Sequence, residues 1–410
     1  MKIAVWHNLP SGGGKRALYG HLRGLRRRGH TLEIWCPASA DEAFLPLAEF
    51  GAVHPLPLAP VPPASPRLGI RGAATRWSRT RRLLAAHHAH AVEVTRQIEA
   101  AGVDAIFANS CSDFGASYLG VTTARRALLY LQEPTRSLYE ALGRNPWAAI
   151  PPHAQFPSTP RYLQRRVADG FATASRRLQV REELRMAQGY QRLLVNSSFS
   201  RESVLRAYGL DARVCYLGVD AELFVPTATA REHVVVSVGA LHHGKGADRI
   251  VQALGTIPAA RRPPLVWIAN MVDEAYATKV RELAGRCGVA FQVKPSIRDA
   301  ELVDWLCRAA VFVYAPRLEP FGFAPLEAAA CETPVVAVAE GGVRETIRDG
   351  YQGLLVPDAD PAAMGAAIER VLEDAALARR LGRQGREDVL RTWTWDHAVD
   401  RLERELKALS

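Results

Sequence analysis

Residues 315–338 read APRLEPFGFAPLEAAACETPVVAV, and the rest of the chain is organised around them. Pro320, Gly322 and Pro325 punctuate a tight loop, a short helix follows, and the apolar run Val335–Val338 predicts a buried strand. Pro325 suits the first helical turn, where its missing N–H costs nothing. Gly322 lets the backbone turn tightly and come close to a ligand. Glu319 lies in the loop, and Glu327 follows after seven intervening residues, just inside the helix. The pattern predicts a helix N-terminus with outward-facing free amides, flanked by two carboxylates. Free amides attract phosphate or hydroxyl oxygens. Carboxylates repel phosphate and accept hydrogen bonds from sugar hydroxyls. A ligand that is part polyol and part anion, such as a nucleotide sugar, satisfies both.

Working outward, strands and helices alternate on both sides of this stretch. Downstream of a plausible linker at Pro226–Arg231, strands are predicted at Val234–Val238, Leu265–Ala269, Ala290–Val293 and Val311–Tyr314, with helices between them. A glycine-rich loop, Gly239–Gly246, follows the first of these. The N-terminal half opens with a strand at Lys2–His7, the turn Ser11-Gly12-Gly13-Gly14, a helix stopped by Gly29 and a strand at Thr31–Cys36. The turn is not GxGxxG, and no acidic residue caps the second strand, so a nicotinamide dinucleotide is a poor fit. The proline-rich residues 53–66 predict an extended loop, and Pro146, Pro151, Pro152, Pro157 and Pro160 mark a second irregular region. Two parallel sheets facing each other across a cleft follow from this alternation, with ligands outside the carboxyl ends of the strands. Both glycine-rich loops and the Glu319–Glu327 stretch fall there.

At 410 residues the chain is too long for one ordinary core and suits two domains of roughly 150–200 residues. We place them at 1–217 and 232–391, with a linker at 218–231 and a terminal helix at 392–410. No run approaches the roughly 18–20 apolar residues of a membrane span, and MKIAVWHN reads as a first strand, not a secretory signal. Six scattered cysteines in mostly apolar segments read as buried reduced thiols of a cytoplasmic protein. The net charge of +10 gathers in arginines at 67–82 and 161–185. Phosphorylated substrates, an anionic membrane surface or nucleic acid would each answer it, but no helix-turn-helix, zinc finger or RNA-binding signature is present, which argues against nucleic acid. Leu68, Ile70, Trp77, Leu83 and Leu84 among the first arginines fit either an interfacial element on anionic lipid or an ordinary solvated helix face.

Several segments together resemble the retaining GT-B glycosyltransferases of family 4, over nearly the whole length. They are Ser11-Gly-Gly-Gly14 with the helix ending in RRRGHTLEIW, LLVNSSFSRESVLRAYGL (193–210), VCYLGVDAELF (214–224), VSVGALHHGKGAD (236–248), EPFGFAPLEAAACETPVV (319–336) and GGVRETIRDGYQGLLV (341–356). The resemblance implies a GT-B fold of two Rossmann-like domains, the N-terminal one binding the acceptor and the C-terminal one the nucleotide sugar. It implies catalytic roles for Glu319, on donor-sugar hydroxyls, and Lys245, on the diphosphate. Glu327 would hold the nucleotide ribose, the amides of Gly322, Phe323 and Ala324 the sugar or phosphate, and those of Gly13 and Gly14 the diphosphate from the opposite domain. Gln132, in YLQEPTR (130–136), stands where mannosyltransferase-like relatives carry a histidine on the donor sugar, and Ala240 stands where many carry an arginine. The co-substrate implied is a GDP- or UDP-linked hexose, with no other cofactor, and the acceptor a glycan or lipid-linked hydroxyl in polysaccharide biosynthesis. The enzyme would work in the cytoplasm, with the inner face of an anionic membrane as a further partner. The terminal segment from Thr392 onward would cross back to the N-terminal domain.

Metal ligation is not expected. His87, His88 and His90 sit among arginines with Glu93 as their only nearby carboxylate, and the DxD-like Asp358-x-Asp360 runs into Asp360-Pro361, a helix cap and first turn. Two other readings fit the residues: a sugar phosphorylase or nucleotide-sugar epimerase on the same scaffold, and a nucleotide-sugar-binding protein with weak catalysis, suggested by Ala240 and Gln132.

Overall fold

A computed structural model of residues 1–410 describes all of them except 64–68, 140–159, 358, 359 and 410. The chain divides into two compact units, Met1–Val195 with Arg201–Val214 and Leu402–Ser410, and Asn196–Ser200 with Cys215–Arg401. Both are doubly wound α/β structures. The first follows β1 (Lys2–Asn8), α1 (Gly13–Arg27), β2 (Thr31–Pro37), β3 (Gly51–Leu56), α2 (Gly69–Ala101), β4 (Ala105–Cys111), α3 (Leu119–Thr122), β5 (Ala127–Gln132), α4 (Arg136–Tyr139), α5 (Pro160–Gln188), β6 (Arg192–Val195), α6 (Ser198–Tyr208) and β7 (Arg213–Val214). Its strands pair in the order β3-β2-β1-β4-β5-β6-β7, all parallel.

The second unit follows β8 (Glu232–Val238), α7 (Ala247–Thr256), β9 (Leu265–Ala269), α8 (Glu274–Cys287), β10 (Phe291–Pro295), α9 (Asp299–Arg308), β11 (Ala309–Tyr314), α10 (Phe323–Ala330), β12 (Val335–Val338), α11 (Val343–Thr346), β13 (Gly353–Val356), α12 (Pro361–Glu373) and α13 (Ala375–Thr392). A last helix, α14 (Trp395–Lys407), ends among residues of the first unit. There Glu403 accepts from Arg28 at 2.9 Å and Glu405 from Arg192 at 2.7 Å. The second sheet has the order β10-β9-β8-β11-β12-β13, again all parallel.

Helices on both faces of a parallel sheet explain the apolar strand runs. Ala127–Leu131 is buried throughout, as is Val335–Val338. The cores are Trp6, Ile106, Leu129 and Val195 in the first unit, and Val235, Ile250, Trp267, Val311 and Ile368 in the second.

The proline-rich segment departs from expectation. Residues 51–56 form a strand, not part of a loop, with Pro55 opposite Cys36. Proline cannot donate to a ladder and is tolerated at a sheet edge, which is where β3 lies. Of the second proline-rich region, Pro160 opens α5, and Pro146, Pro151, Pro152 and Pro157 lie outside the described residues. The basic stretch is the start of α2, a helix of 33 residues. Trp77 packs on Phe171 of α5 with ring centroids 6.1 Å apart, and Leu84 is buried, so part of its apolar content faces protein. Arg71, Arg76, Arg81 and Arg82 are exposed. Leu68 lies outside the described residues.

Lys15, one residue past the glycine turn, is fully buried. Its ammonium bonds Glu42, whose carboxylate also stands 3.1 Å from His7 Nε2 and accepts from the Leu47 amide at 3.1 Å. Burial alone would raise the Glu42 carboxyl, but His7, Lys15 and the Leu47 amide outweigh it and hold it at about 2.

Two outcomes follow. An acid whose folded pKa is depressed contributes stability that is complete above its unfolded pKa and is lost as pH falls. Thermal midpoints measured between pH 4.5 and 2 are expected to fall more steeply for the wild type than for Glu42→Gln. Gly382 lies inside α13, where alanine ordinarily stabilises a helix. A Cβ there would collide with the Glu332 carbonyl behind α10, so Gly382→Ala is expected to destabilise by about 1–3 kcal/mol in denaturant titration.

Candidate functional site

The second sheet reverses its strand order between β8 and β11, and the crevice outside the carboxyl ends of such strands is where doubly wound sheets bind ligands. The loop after β8 carries Lys245, and the loop after β11 carries Glu319. Lys245 Nζ donates to Glu319 Oε2 at 2.7 Å, with both side chains largely buried. The glycines that sequence reading valued for flexibility act here by close approach. Gly246, at φ +74°, lies where a Cβ would strike the Ala315 carbonyl, and the Arg317 amide donates to Gly244 O at 2.9 Å. The two loops are thus locked backbone to backbone before their side chains meet.

Gly341 and Gly342 provide the second lock. A Cβ on Gly341 would strike Glu319 O, and one on Gly342 would strike Pro320 O. Instead the Gly342 amide donates to Glu319 O at 2.8 Å. Leu318, just before Glu319, is held at φ +53°, a conformation costly for a leucine. Gly322 follows at φ +91° as the N-cap of α10. Phe323 and Ala324 then open that helix, with amides that have no partner within it. Glu327 is buried in the same helix, at 5 % exposure. Lys245, Glu319, Gly322, Phe323, Ala324 and Glu327 therefore belong to one switch-point neighbourhood. The direct ion pair is a feature that spacing alone did not predict.

Around Ala240, the His242 Nδ1 accepts from the Gly244 amide at 3.1 Å, and the His243 ring lies on Tyr276 with centroids 4.2 Å apart. Both rings are thereby tied to the shape of the turn. Arg317 lines a small cavity with Asp248, Arg249 and Asp360. Asp360 caps α12 through the Ala363 amide, as its sequence context predicts. Asp358 lies outside the described residues. Glu345, which sequence reading did not single out, accepts from the Ser198 amide at 2.8 Å, the Phe199 amide at 2.9 Å and the Tyr216 hydroxyl at 2.8 Å. A carboxylate facing a helix start three residues beyond a GG pair was the available signal.

Three expected residues lie in the first unit. Gly13 and Gly14 are the first residues of α1, behind Gly12 at φ +140°. Gln132 ends β5 at φ +65°, with Glu133 N bonded to Leu131 O at 2.8 Å. This is a γ-turn with positive φ at a glutamine, a strained geometry of the kind held at functional sites. The α2 histidines diverge. His90 takes the Trp6 indole N–H at 3.4 Å, His88 lies edge-on to Tyr118, and His87 meets Asp113 and Cys111. Asp113 is a carboxylate that proximity in sequence could not supply.

Sequence models of two families match: Glycosyltransferase Family 4 over residues 11–223, and Glycosyl transferases group 1 over residues 220–388. A D-inositol 3-phosphate glycosyltransferase of Catenulispora acidiphila is 30% identical over 246 residues, covering 55% of this chain and 59% of that protein. The chain spans about half the length of the curated relatives it matches. Among solved structures, a sucrose-phosphate synthase of Thermosynechococcus elongatus (TM-score 0.72, 20% identity) and the Anabaena protein HepE in complex with UDP and glucose (TM-score 0.72, 16% identity) each align over 100% of both chains. With two parallel-sheet units, a polar switch-point site built on the E-x7-E stretch, and family matches that together run from residue 11 to residue 388, the chain belongs to the group 1, family 4 glycosyltransferases of GT-B fold.

Proposed function

We propose that this glycosyltransferase moves a hexose from a GDP- or UDP-linked donor, with retention, to a hydroxyl of a glycan or lipid-linked acceptor. The observation that carries the reading is the Lys245–Glu319 pair at the switch point, beside the open N-terminus of α10. An ammonium has three donors, and the pair uses one of them. Cleaving the bond between the anomeric carbon and the phosphate oxygen builds negative charge on the leaving diphosphate. Lys245 and the amides of Gly322, Phe323 and Ala324 meet that charge with fixed donors that need no reorganisation. Glu319 accepts from sugar hydroxyls and Glu327 from the ribose. From the first unit, Gln132 bonds the sugar, and the Gly13 and Gly14 amides add to diphosphate binding. The anomeric carbon bonds the acceptor oxygen as the phosphate oxygen leaves, and the acceptor proton passes to that phosphate oxygen. This scheme assigns no step to a metal ion or further cofactor.

The acceptor belongs to the first unit, residues 1–217 in the sequence-based division, and the donor to the second. The exposed arginines of α2 support work at an anionic membrane surface, which this reading places on the cytoplasmic side. Among the described residues no helix is long and apolar enough to cross a membrane. The curated relatives are named for D-inositol 3-phosphate, so cyclic polyols join glycans and lipid-linked sugars as acceptor classes to test.

The deciding experiment is a thermal-shift and turnover screen of UDP-, GDP- and ADP-sugars, with the product anomer read by NMR. One nucleotide sugar is expected to stabilise the protein and to be turned over in the presence of a chelator, with the donor's anomeric configuration kept. Lys245→Met is expected to lower kcat about 10²–10³-fold, the cost of one lost donor to the developing charge. Glu319→Ala with undiminished transfer, or turnover requiring free sugar 1-phosphate, would refute the reading.

A further inference from the structure

The first unit repeats, with different residues, the arrangement that makes the second unit's site. Its strand order reverses between β1 and β4, so its ligand crevice lies outside their carboxyl ends. Asn8 ends β1, Cys111 ends β4, and Asp113 follows in the next loop. His87 of α2 closes the cluster. Its Nε2 lies 3.0 Å from Asp113 Oδ2, and Asn8 Nδ2 donates to the same oxygen at 3.4 Å. Cys111 Sγ stands 4.0 Å from His87 Nδ1 and 3.5 Å from Asn8 Nδ2. Phe114 sets its edge against the imidazole at 5.3 Å. Asn8, His87 and Cys111 are buried, whereas the Asp113 side chain is 34% exposed.

An exposed aspartate ordinarily rotates freely. Here side chains from β1 and α2 hold one of its oxygens, and Oδ1 makes no hydrogen bond among the described residues. Burial alone would lower the His87 pKa, but Asp113 and Cys111 overcome it and push it up to about 9, so the ring is an imidazolium at neutral pH and the carboxylate keeps its counter-charge. The same two contacts use opposite ring nitrogens, which suits a clamped imidazolium better than three ligand atoms converging on a metal. Besides His87, the charge acting on Asp113 among the described residues is Arg79. Arg79 acts on it at longer range and is itself bonded to the Pro62 carbonyl. A fixed carboxylate accepts hydrogen bonds and donates none, so it takes hydroxyl groups and repels phosphate.

We propose that Asp113, held in place by His87 and Asn8, binds a hydroxyl of the acceptor, and that this crevice takes the neutral face of a polyol in preference to a phosphate. The acceptor role rests on the glycosyl-transfer reading above, whereas the preference for a neutral polyol can be measured without it.

The test uses the full chain, with myo-inositol, methyl α-mannoside and methyl α-glucoside as neutral probes and D-inositol 3-phosphate and mannose 6-phosphate as charged ones. Saturation-transfer NMR of each probe reports binding without donor chemistry. At least one neutral probe is expected to bind the wild type more tightly than its phosphate. Asp113→Asn, which keeps the shape and removes the charge, is expected to weaken it about tenfold or more, the loss of one charge-assisted hydrogen bond. In a transfer assay with the donor identified by the nucleotide screen, the same variant is expected to raise the acceptor KM by a similar factor while the donor KM stays put. A merely structural role would instead lower the thermal midpoint and shift both KM values together. Should no nucleotide sugar be turned over, the glycosyl-transfer reading fails and the NMR arm still decides the crevice. Binding by none of the neutral probes, equal binding by Asp113→Asn, or one equivalent of zinc retained through gel filtration and lost in Cys111→Ser would each overturn the proposal.

Discussion

The second unit's site depends on backbone pressed against backbone. Gly246 meets the Ala315 carbonyl, and Gly341 and Gly342 meet Glu319 and Pro320, at separations that no side chain could occupy. These contacts fix the loop after β11 between the turn after β8 and the turn after β12. Only then do the Lys245 ammonium and the Glu319 carboxylate lie at hydrogen-bond distance. Such a pair is preorganised: its groups hold their places without waiting for loops to move. The strain at Leu318 is tolerable because the loop is pinned on both sides.

The two units apply one topological rule to different chemistry. Each sheet reverses its strand order beside its first strand, and each places a carboxylate and a cation at the opening that results. In the second unit the cation is a lysine that keeps donors available for an anion. In the first it is a buried imidazolium whose ring nitrogens are already engaged, and the carboxylate is the group left facing water. Charge placement thus differs between the crevices: one opens with an ammonium, the other with a carboxylate.

Much of this was legible from residue order. Parallel strands buried on both faces must be continuous apolar runs, so β1, β5, β9, β11 and β12 stood out. The E-x7-E stretch marked the site because a glycine N-cap, an early proline and two acids at that spacing have few other uses. The β3 strand was less legible. Pro55 argues against a strand unless the segment lies at an edge, and edge position belongs to the sheet as a whole. His87 looked unpartnered because its carboxylate, Asp113, lies 26 residues away on another element.

By itself, therefore, the sequence determined two doubly wound units, the strands that fill them, the helix start at Gly322 and the residue types at the candidate site. These features are local, since periodicity, glycine, proline and capping act within a few residues. Tertiary structure alone decided which charges meet. Lys245 reaches Glu319 across 74 residues, Lys15 is buried against Glu42, and Asn8 and His87 converge on Asp113, because strand order brings distant loops to one crevice. The stretch from Ala315 to Val338 announces a site through its own residues, but its charge state is set by the segments folded against it.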